Sequence, residues 1–328
     1  MHLLAYLSLL PLAACWGELG HRTIAYLAHH HLTPQTQTWL NQTLNGEDIS
    51  TAAVWPDEIK NKTKYGSRYA YASPWHFYNV PGSFAQNCTL NATDVPAACS
   101  RAGCAIEAIA NHTARVENHT LTSTDRAEAM KFVLHLIGDI HQPLHTEAIE
   151  QGGNNICVRW GRSKQTPYPG YCANLGFDNL HSVWDDLMLQ KLVLEKYNIS
   201  LSLTENNTIA AAALKWSEHL YSAKDSPNIC PYTDSRECAF TWAQESNKLV
   251  CSNVLANGIP GNDTDLSKGY YEENKGVVEE RVKIAGLRLA AWIDRVATAS
   301  AAAVLEEKEE VEVEDGSSAL YVQPELRL

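Results

Sequence analysis

Residues 132–145, Phe-Val-Leu-His-Leu-Ile-Gly-Asp-Ile-His-Gln-Pro-Leu-His, place three histidines and a carboxylate inside one segment of helical periodicity. Ala129, Phe132, Val133, Leu136 and Ile140 recur at that period and predict a buried stripe. His135 and Asp139 then stand one turn apart at its edge. Residues so spaced have Cβ atoms about 5–6 Å apart on one face, which suits ligands of one metal or of two adjacent metals. Thr124 or Asp125 is the expected N-cap. Pro143, lacking a backbone N–H, should end the helix and let His145 reach back toward the same pocket. His141, six residues from His135, points the other way and is excluded as a ligand.

A single H-x-x-x-D pair is more often structural than metal-binding, but this chain holds a second. A helix beginning near Asn179 has a stripe of Leu180, Val183, Trp184, Leu187 and Leu194, interrupted by Lys191. His181 and Asp185 lie together beside it, with Asp186 on the far side. Two such pairs beside core stripes, together with His21, Asp57 and His76, favour a metal centre. Elsewhere, helices are expected after Trp16-Gly-Glu-Leu-Gly-His21, at Gln35–Leu44, and from Trp55-Pro56, with Pro in its first turn. Others are expected near Ala105–Val116, Ile209–Ser222, Phe240–Leu255 and 277–300. The aromatic segment Pro74–Tyr78 reads as extended or loop. The stretch 156–160 reads as a strand, and a hairpin closed by Cys157 and Cys172 fits the excursion after it. The fold class is mainly α with a minor β-hairpin.

At 328 residues without a Pro/Gly/Ser-rich linker, one domain is expected, covering 16–300. Residues 1–15 are apolar over roughly a dozen positions, too short to span a bilayer, and read as a secretory signal peptide. Leu12-Ala13-Ala14-Cys15 also resembles a lipoprotein box. Two features oppose a lipid anchor. Apart from Cys15, an even set of eight cysteines remains, as for four disulfides in an oxidising compartment. Sequons at Asn41, Asn61, Asn87, Asn91, Asn111, Asn118, Asn198, Asn206 and Asn262 point to a secreted glycoprotein bearing N-linked glycans. The net charge of −12 argues against a polyanion-binding surface. Half of it, however, comes from residues 306–315, six Glu and one Asp against one Lys. Residues 301–328 therefore read as a solvated, disordered acidic tail.

The motifs Trp16-Gly with Gly20-His21, Trp55-x-Asp57, Pro74-x-His76-Phe77, His135-x-x-x-Asp139 with Gln142-Pro143-Leu144-His145, Gly152-Gly153-Asn154, and Asn179-Leu180-His181-x-x-Trp184-Asp185 are specific in combination. From Trp16 to about Trp292 the chain resembles the zinc-dependent single-strand-specific nucleases of fungi and plants, the nuclease S-one/nuclease P-one family. The resemblance implies a helical fold similar to zinc phospholipase C, holding three zinc ions. One would take Asp57, His76, His135 and Asp139. A second would take the α-amine and carbonyl of Trp16, His21 and the other oxygen of Asp139. The third would take His145, His181 and Asp185. Each set joins neutral imidazole to carboxylate or amine and leaves a position for water. The Trp16 amine exists only after signal cleavage.

The implied activity is endonucleolytic hydrolysis of single-stranded DNA and RNA to 5′-phosphorylated products, with 3′-nucleotidase activity alongside. Its nucleophile would be a zinc-activated hydroxide. Asp57 and Asp139 would hold the catalytic metals, and Lys60 would add transition-state charge stabilisation. Three zincs against three ligand aspartates make the pocket cationic by about three charges without a basic patch. Phe77 matches the family's base-stacking platform. Gly152, Gly153 and Asn154 match the loop beside the nucleotide. Asn79 stands where fungal members carry a base-contacting aspartate, so base preference should differ, and the excursion 160–173 is longer than in those members. The family also suggests disulfides Cys88–Cys251 and Cys99–Cys104; exclusion and proximity then add Cys157–Cys172 and Cys230–Cys238. A zinc phospholipase C shares fold and metals, but no amphipathic stretch favours a lipid surface and no membrane partner is expected. A catalytically silent zinc-binding glycoprotein would usually have lost a ligand. Monomer is the default expectation.

Overall fold

A computed structural model describes residues 16–99, 103–161, 170–201, 206–226, 230 and 234–317. The expected leader and the centre of the excursion after Trp160 lie outside the described residues. The fold is mainly α, with a two-stranded antiparallel sheet pairing Cys157 with Asn179 and Val158 with Asp178. The helix Glu18–His31 runs through the middle, packed on Gly269–Ser317, Asn206–Leu220 and Ile49–Glu58. Ser123–Asp139 lies between Ala105–Glu117 and Ile49–Glu58. Its stripe residues Ala129, Phe132, Val133, Leu136 and Ile140 are all buried, as their spacing predicts. Among the described residues no helix is long and apolar enough to cross a membrane.

Several boundaries differ from the expected ones for local physical reasons. The N-cap before Ser123 is Thr122, not Thr124 or Asp125. Its hydroxyl accepts the Asp125 N–H at 3.1 Å and donates to the Asp125 carboxylate at 2.7 Å, a reciprocal cap. Trp55-Pro56 ends a helix rather than starting one. Asp48 caps Ile49–Glu58 by accepting from the Ser50 and Thr51 N–H groups, and Pro56 falls in the last turns. Asp57 thus emerges at the helix's C-terminal end. Pro74–His76, expected as extended or loop, belong to a 3-10 helix, Ala70–His76, and the chain becomes extended only at Phe77. The last helix runs Gly269–Ser317, longer at both ends than 277–300. Eleven of residues 301–317 are Ala, Leu, Glu or Lys, strong helix formers, and the stretch read as a tail begins inside a helix.

The largest departure concerns the second histidine helix. It starts at Leu180 with Asn179 as N-cap, passes through a π-turn at Val183–Leu187, and continues as Met188–Tyr197. A π-turn holds one extra residue and rotates every later position. Leu187 is therefore only half-buried and Leu194 is 52% exposed, while Met188 and Leu192 are buried. Lys191, which broke the expected stripe, lies over the Tyr271 ring at 4.1 Å.

Four disulfides join Cys88–Cys251, Cys99–Cys104, Cys157–Cys172 and Cys230–Cys238. The sequon asparagines Asn41, Asn87, Asn91, Asn111, Asn118, Asn198 and Asn262 are exposed and Asn61 is half-buried; the Asn206 side chain lies outside the described residues. The π-turn register predicts opposite outcomes for two leucine-like positions. In urea unfolding, Met188→Ala should cost about 2–5 kcal/mol, whereas Leu194→Ala should stay within about 0.5 kcal/mol. A large loss at Leu194 would restore the uninterrupted helix.

Candidate metal centre

Asp139 is the last residue of its helix and is completely buried. One carboxylate oxygen, Oδ2, lies 2.9 Å from His76 Nδ1 and 3.2 Å from His135 Nε2. The Asp57 carboxylate closes the group, with Oδ1 3.6 Å from His135 Nε2 and 3.8 Å from His76 Nδ1. Four donors around a tetrahedral metal with bonds of 2.0–2.1 Å are about 3.3 Å apart, the middle of this range. The tautomer of His135 is decided by a backbone carbonyl. Its Nδ1 lies 2.7 Å from the Ala53 oxygen, which can only accept, so Nδ1 carries the proton and Nε2 turns a lone pair inward. Burial, and then the nearby Lys60 charge, push His76 down to about 3, leaving its imidazole neutral and able to bind a metal. The Asp57 carboxyl is held well below its ordinary range by Lys60 and the histidines, which outweigh burial.

The other oxygen of Asp139 faces His21, with Oδ1 3.2 Å from Nε2. The His21 ring stacks on His135 at 3.7 Å, and neither of its buried nitrogens has a hydrogen-bond partner. Burial and the neighbouring His135 lower its pKa, so it too is neutral. Trp16 is fully buried, and the next residue anchors the chain here: the Gly17 N–H donates to the Asp185 carbonyl at 2.9 Å. Gly17 has an ordinary backbone conformation but no room for a side chain. An added Cβ would meet Asp186 Oδ1 at 1.6 Å. Asp186, expected on the far side of its helix, is thus buried against the start of the described chain.

His145, His181 and Asp185 form a third group. His181 Nε2 is 3.1 Å from Asp185 Oδ2, and His145 Nε2 is 3.7 Å from Oδ1. Again carbonyls set the tautomers. His145 Nδ1 donates to the His76 oxygen at 3.0 Å, and His181 Nδ1 donates to the Gly152 oxygen at 2.6 Å. Both Nε2 atoms and Asp185 Oδ2 are buried without hydrogen-bond partners. The rest of the Asp185 carboxylate is held by Gln142, whose amide donates to Oδ1 at 2.7 Å while its own oxygen accepts from Leu144 N–H. Gln142 was visible in sequence only as part of a motif; no periodicity distinguishes a ligand from the group that aims it. His141 is outside all three groups. Its Nδ1 donates to the Ile137 carbonyl and its Nε2 accepts from Arg288.

The three groups, His21/His135/Asp139, Asp57/His76/His135 and His145/His181/Asp185, each bring ligand atoms within 4.8 Å of one another. Buried lone pairs that face each other without donors repel unless a cation or proton lies between them. The donor chemistry, imidazole with carboxylate, fits zinc. Lys60 Nζ pairs with Asp57 Oδ1 at 2.7 Å on the rim of the first group.

Beside the centre lies a cleft of about 560 Å³ lined by Phe77, Asn79, Gly152, Asn154, Tyr171 and Asn179, among others, with no carboxylate side chain in its wall among the described residues. Phe77 is half-buried, its ring 4.9 Å from His145 and 6.1 Å from His181. Asn79 is exposed on the cleft wall. Gly152 has φ +63°, and an added Cβ would come 2.9 Å from the Leu144 oxygen; only glycine lets its carbonyl reach His181. Gly153 packs on Leu144 instead of lining the cleft. Tyr171 and Asn179 were not read as cleft residues. Tyr171 follows the long excursion, whose path no local pattern specifies.

The Gln142 contact predicts a local effect. Gln142→Ala should weaken retention of one metal of the set by about 10–100-fold against a competing chelator while the other sites keep theirs. Metal content measured after graded chelator dialysis checks this; uniform loss from all sites, or none, would contradict it.

A sequence model of the S1/P1 Nuclease family matches residues 16–298. Nuclease S1 of Aspergillus oryzae is 35% identical over 303 residues, covering 90% of this chain and 96% of that protein. Nuclease P1 of Penicillium citrinum is 33% identical over 293 residues, 86% of this chain and 97% of its own. Endonuclease 4 of Arabidopsis thaliana is 30% identical over 303 residues, 87% and 90% respectively. The match spans every histidine and aspartate of the three groups, and the chain belongs to the S1/P1 nuclease family and is a nuclease.

Proposed function

We propose that the protein is a secreted, zinc-dependent endonuclease that hydrolyses phosphodiester bonds of single-stranded DNA and RNA to 5′-phosphorylated products, with 3′-nucleotidase activity as well. The observation that carries this reading is the buried set of imidazole lone pairs and carboxylates at the end of an amide-lined cleft containing Phe77. Asp57, His76, His135 and Asp139 would hold one zinc. His21, the second oxygen of Asp139 and the amine and carbonyl of Trp16 would hold another. His145, His181 and Asp185 would hold a third. When bound, the zincs supply Lewis acidity toward phosphate oxygens and a water made nucleophilic near neutral pH.

The chain's own residues bind and orient. Phe77 offers a stacking face to one base, which single strands can splay out and duplexes cannot. Asn79 offers an amide that both donates and accepts, and Asn154 and Asn179, whose amides also hold the Gln151 carbonyl and the Ser182 N–H, line the same wall. Asn79 in particular would read a base differently from an aspartate. Lys60 is placed to answer charge that develops on the phosphoryl oxygens while it also holds the Asp57 carboxylate. Signal cleavage before Trp16 would create a metal ligand, so processing would complete the site. Glycans on the exposed sequons would lie away from the buried metal ligands.

Zinc analysis of the mature protein, followed by assays on single-stranded DNA, RNA, four homopolymers and phosphatidylcholine, tests the reading. Chelator-sensitive cleavage of both nucleic acids, with relative homopolymer rates unlike those of an aspartate-bearing relative, is expected. Hydrolysis of phosphatidylcholine alone would replace the nuclease reading by a phospholipase, and inactivity with zinc bound would make the chain a silent metal protein. A form extended by two residues before Trp16 should bind less zinc than the mature form; undiminished zinc content would remove the amine from the ligand set.

A further inference from the structure

Between Glu58 and Asp94 the sequence contains four Lys/Arg, namely Lys60, Lys62, Lys64 and Arg68, and no Asp or Glu. Such a run is unusual in a chain with 38 acidic residues and a net charge of −12. The structure makes its first half into a lobe whose two ends both belong to the metal centre. The chain leaves at Asp57 and Lys60 and returns at His76 and Phe77. In between, Asn61 caps the short helix Lys62–Tyr65 by accepting the Thr63 and Lys64 N–H groups, and the 3-10 helix Ala70–His76 leads back. Lys62, Lys64 and Arg68 are exposed along it, and Tyr71 is 57% exposed. The Tyr71 ring is propped by Trp75, 5.2 Å away, next to the expected ligand His76.

Two carboxylates touch the lobe. Glu58 pairs with Lys64 at 3.1 Å and Glu128 approaches Arg68 at 4.0 Å. The Glu58–Lys64 pair is solvent-exposed, and the Glu128–Arg68 approach is long, its Glu128 oxygen being held by the Tyr69 hydroxyl at 3.0 Å; such pairs are worth little in water, so a phosphate can compete for either cation. An exposed row of cations with an interleaved aromatic face is the chemistry that tracks a single-stranded backbone. Solubilising surface lysines would have no reason to form an acid-free run joined at both ends to the catalytic centre.

We infer that the lobe Lys62–Tyr71 is a second nucleic-acid contact, an exosite that binds backbone phosphates and one base of a single strand whose scissile bond lies at the metal centre. It rests on the nuclease reading above, and extends it from one nucleotide in the Phe77 cleft to a longer strand. The sequon asparagine Asn61 sits on the same lobe, so a glycan there would cover part of it.

The test uses mature holoenzyme with its glycans trimmed to the first sugar, and compares long poly(dT) with a thymidylyl dinucleotide, which carries one scissile bond and no further backbone. Changing Lys62, Lys64 and Arg68 together to Gln should raise KM for poly(dT) about fivefold or more and flatten its log–log salt dependence by about 2. Tyr71→Ala should raise that KM about fivefold or more while leaving the salt slope in place. KM and kcat for the dinucleotide should be those of the wild type in both variants. Equal effects on the two substrates, or an unmoved KM and salt slope for poly(dT), would overturn the exosite while leaving the nuclease reading intact. A wild-type protein that binds zinc and cleaves neither substrate would overturn the nuclease reading itself.

Discussion

Asp139 is an acceptor-only group, fully buried, with nitrogens of His21, His76 and His135 within 3.2 Å of its two oxygens. Placing a carboxylate beside inward lone pairs in a dry interior is unfavourable unless a positive charge lies among them. Burial alone would keep His135 neutral, yet the two carboxylates beside it raise its pKa, and burial and Asp185 act in the same opposing way on His181. The interior therefore calls for cations, and zinc can supply them without protonating the ligands. The helix stripe, the backbone carbonyls and the cleft all take their functional meaning from this requirement.

Orientation comes from the backbone. The carbonyls of Ala53, His76 and Gly152 each accept from the outer nitrogen of a histidine of the three groups and fix which nitrogen faces inward. These carbonyls come from a helix near its proline-containing end, a 3-10 turn and a glycine loop, three segments distant in sequence. The strand-like contact between Val80 and Glu147 ties the Phe77 segment to the His145 segment. Glu147, buried, accepts from the Ala148 and Ile149 N–H groups and from the Ser83 hydroxyl, which holds that junction closed. The π-turn places Asp185 one turn from His181 while carrying Asp186 toward Gly17, so one local irregularity serves both the third His/Asp group and the anchoring of Gly17.

Much of the centre could be read from the chain because it obeys periodicity. His135 with Asp139 and His181 with Asp185 stand one turn apart beside apolar stripes, and Pro143 ends the first helix where His145 must turn back. The helical class followed from the same spacing. What failed were features decided by competition between local signals. Pro56 suits a first turn, but Asp48 nucleates the helix earlier; Thr122 outcompetes Thr124 because its partner Asp125 lies at the reciprocal position. The π-turn was invisible because a single inserted residue leaves no compositional trace, and it moved Leu194 to the surface and left Leu187 only half-buried at the edge of the core. Gln142 and Tyr171 escaped for another reason: one acts on a ligand rather than on metal, and the other reaches the cleft through an excursion without a repeating pattern.

The acidic overall charge proves a poor guide to substrate, because it is distributed away from the stretch that borders the centre. A cation-demanding interior, bordered by a chain stretch without Asp or Glu between Glu58 and Asp94, can face a polyanion even in a chain of net −12. The direct measurement of the central claim is anomalous X-ray scattering at the zinc edge from crystals of the mature protein. The account predicts three zinc peaks, matching the three ligand groups, with a close pair on either oxygen of Asp139 and the third at His145, His181 and Asp185. No peak in those groups, or zinc bound so that Asp139 contacts only one ion, would contradict it.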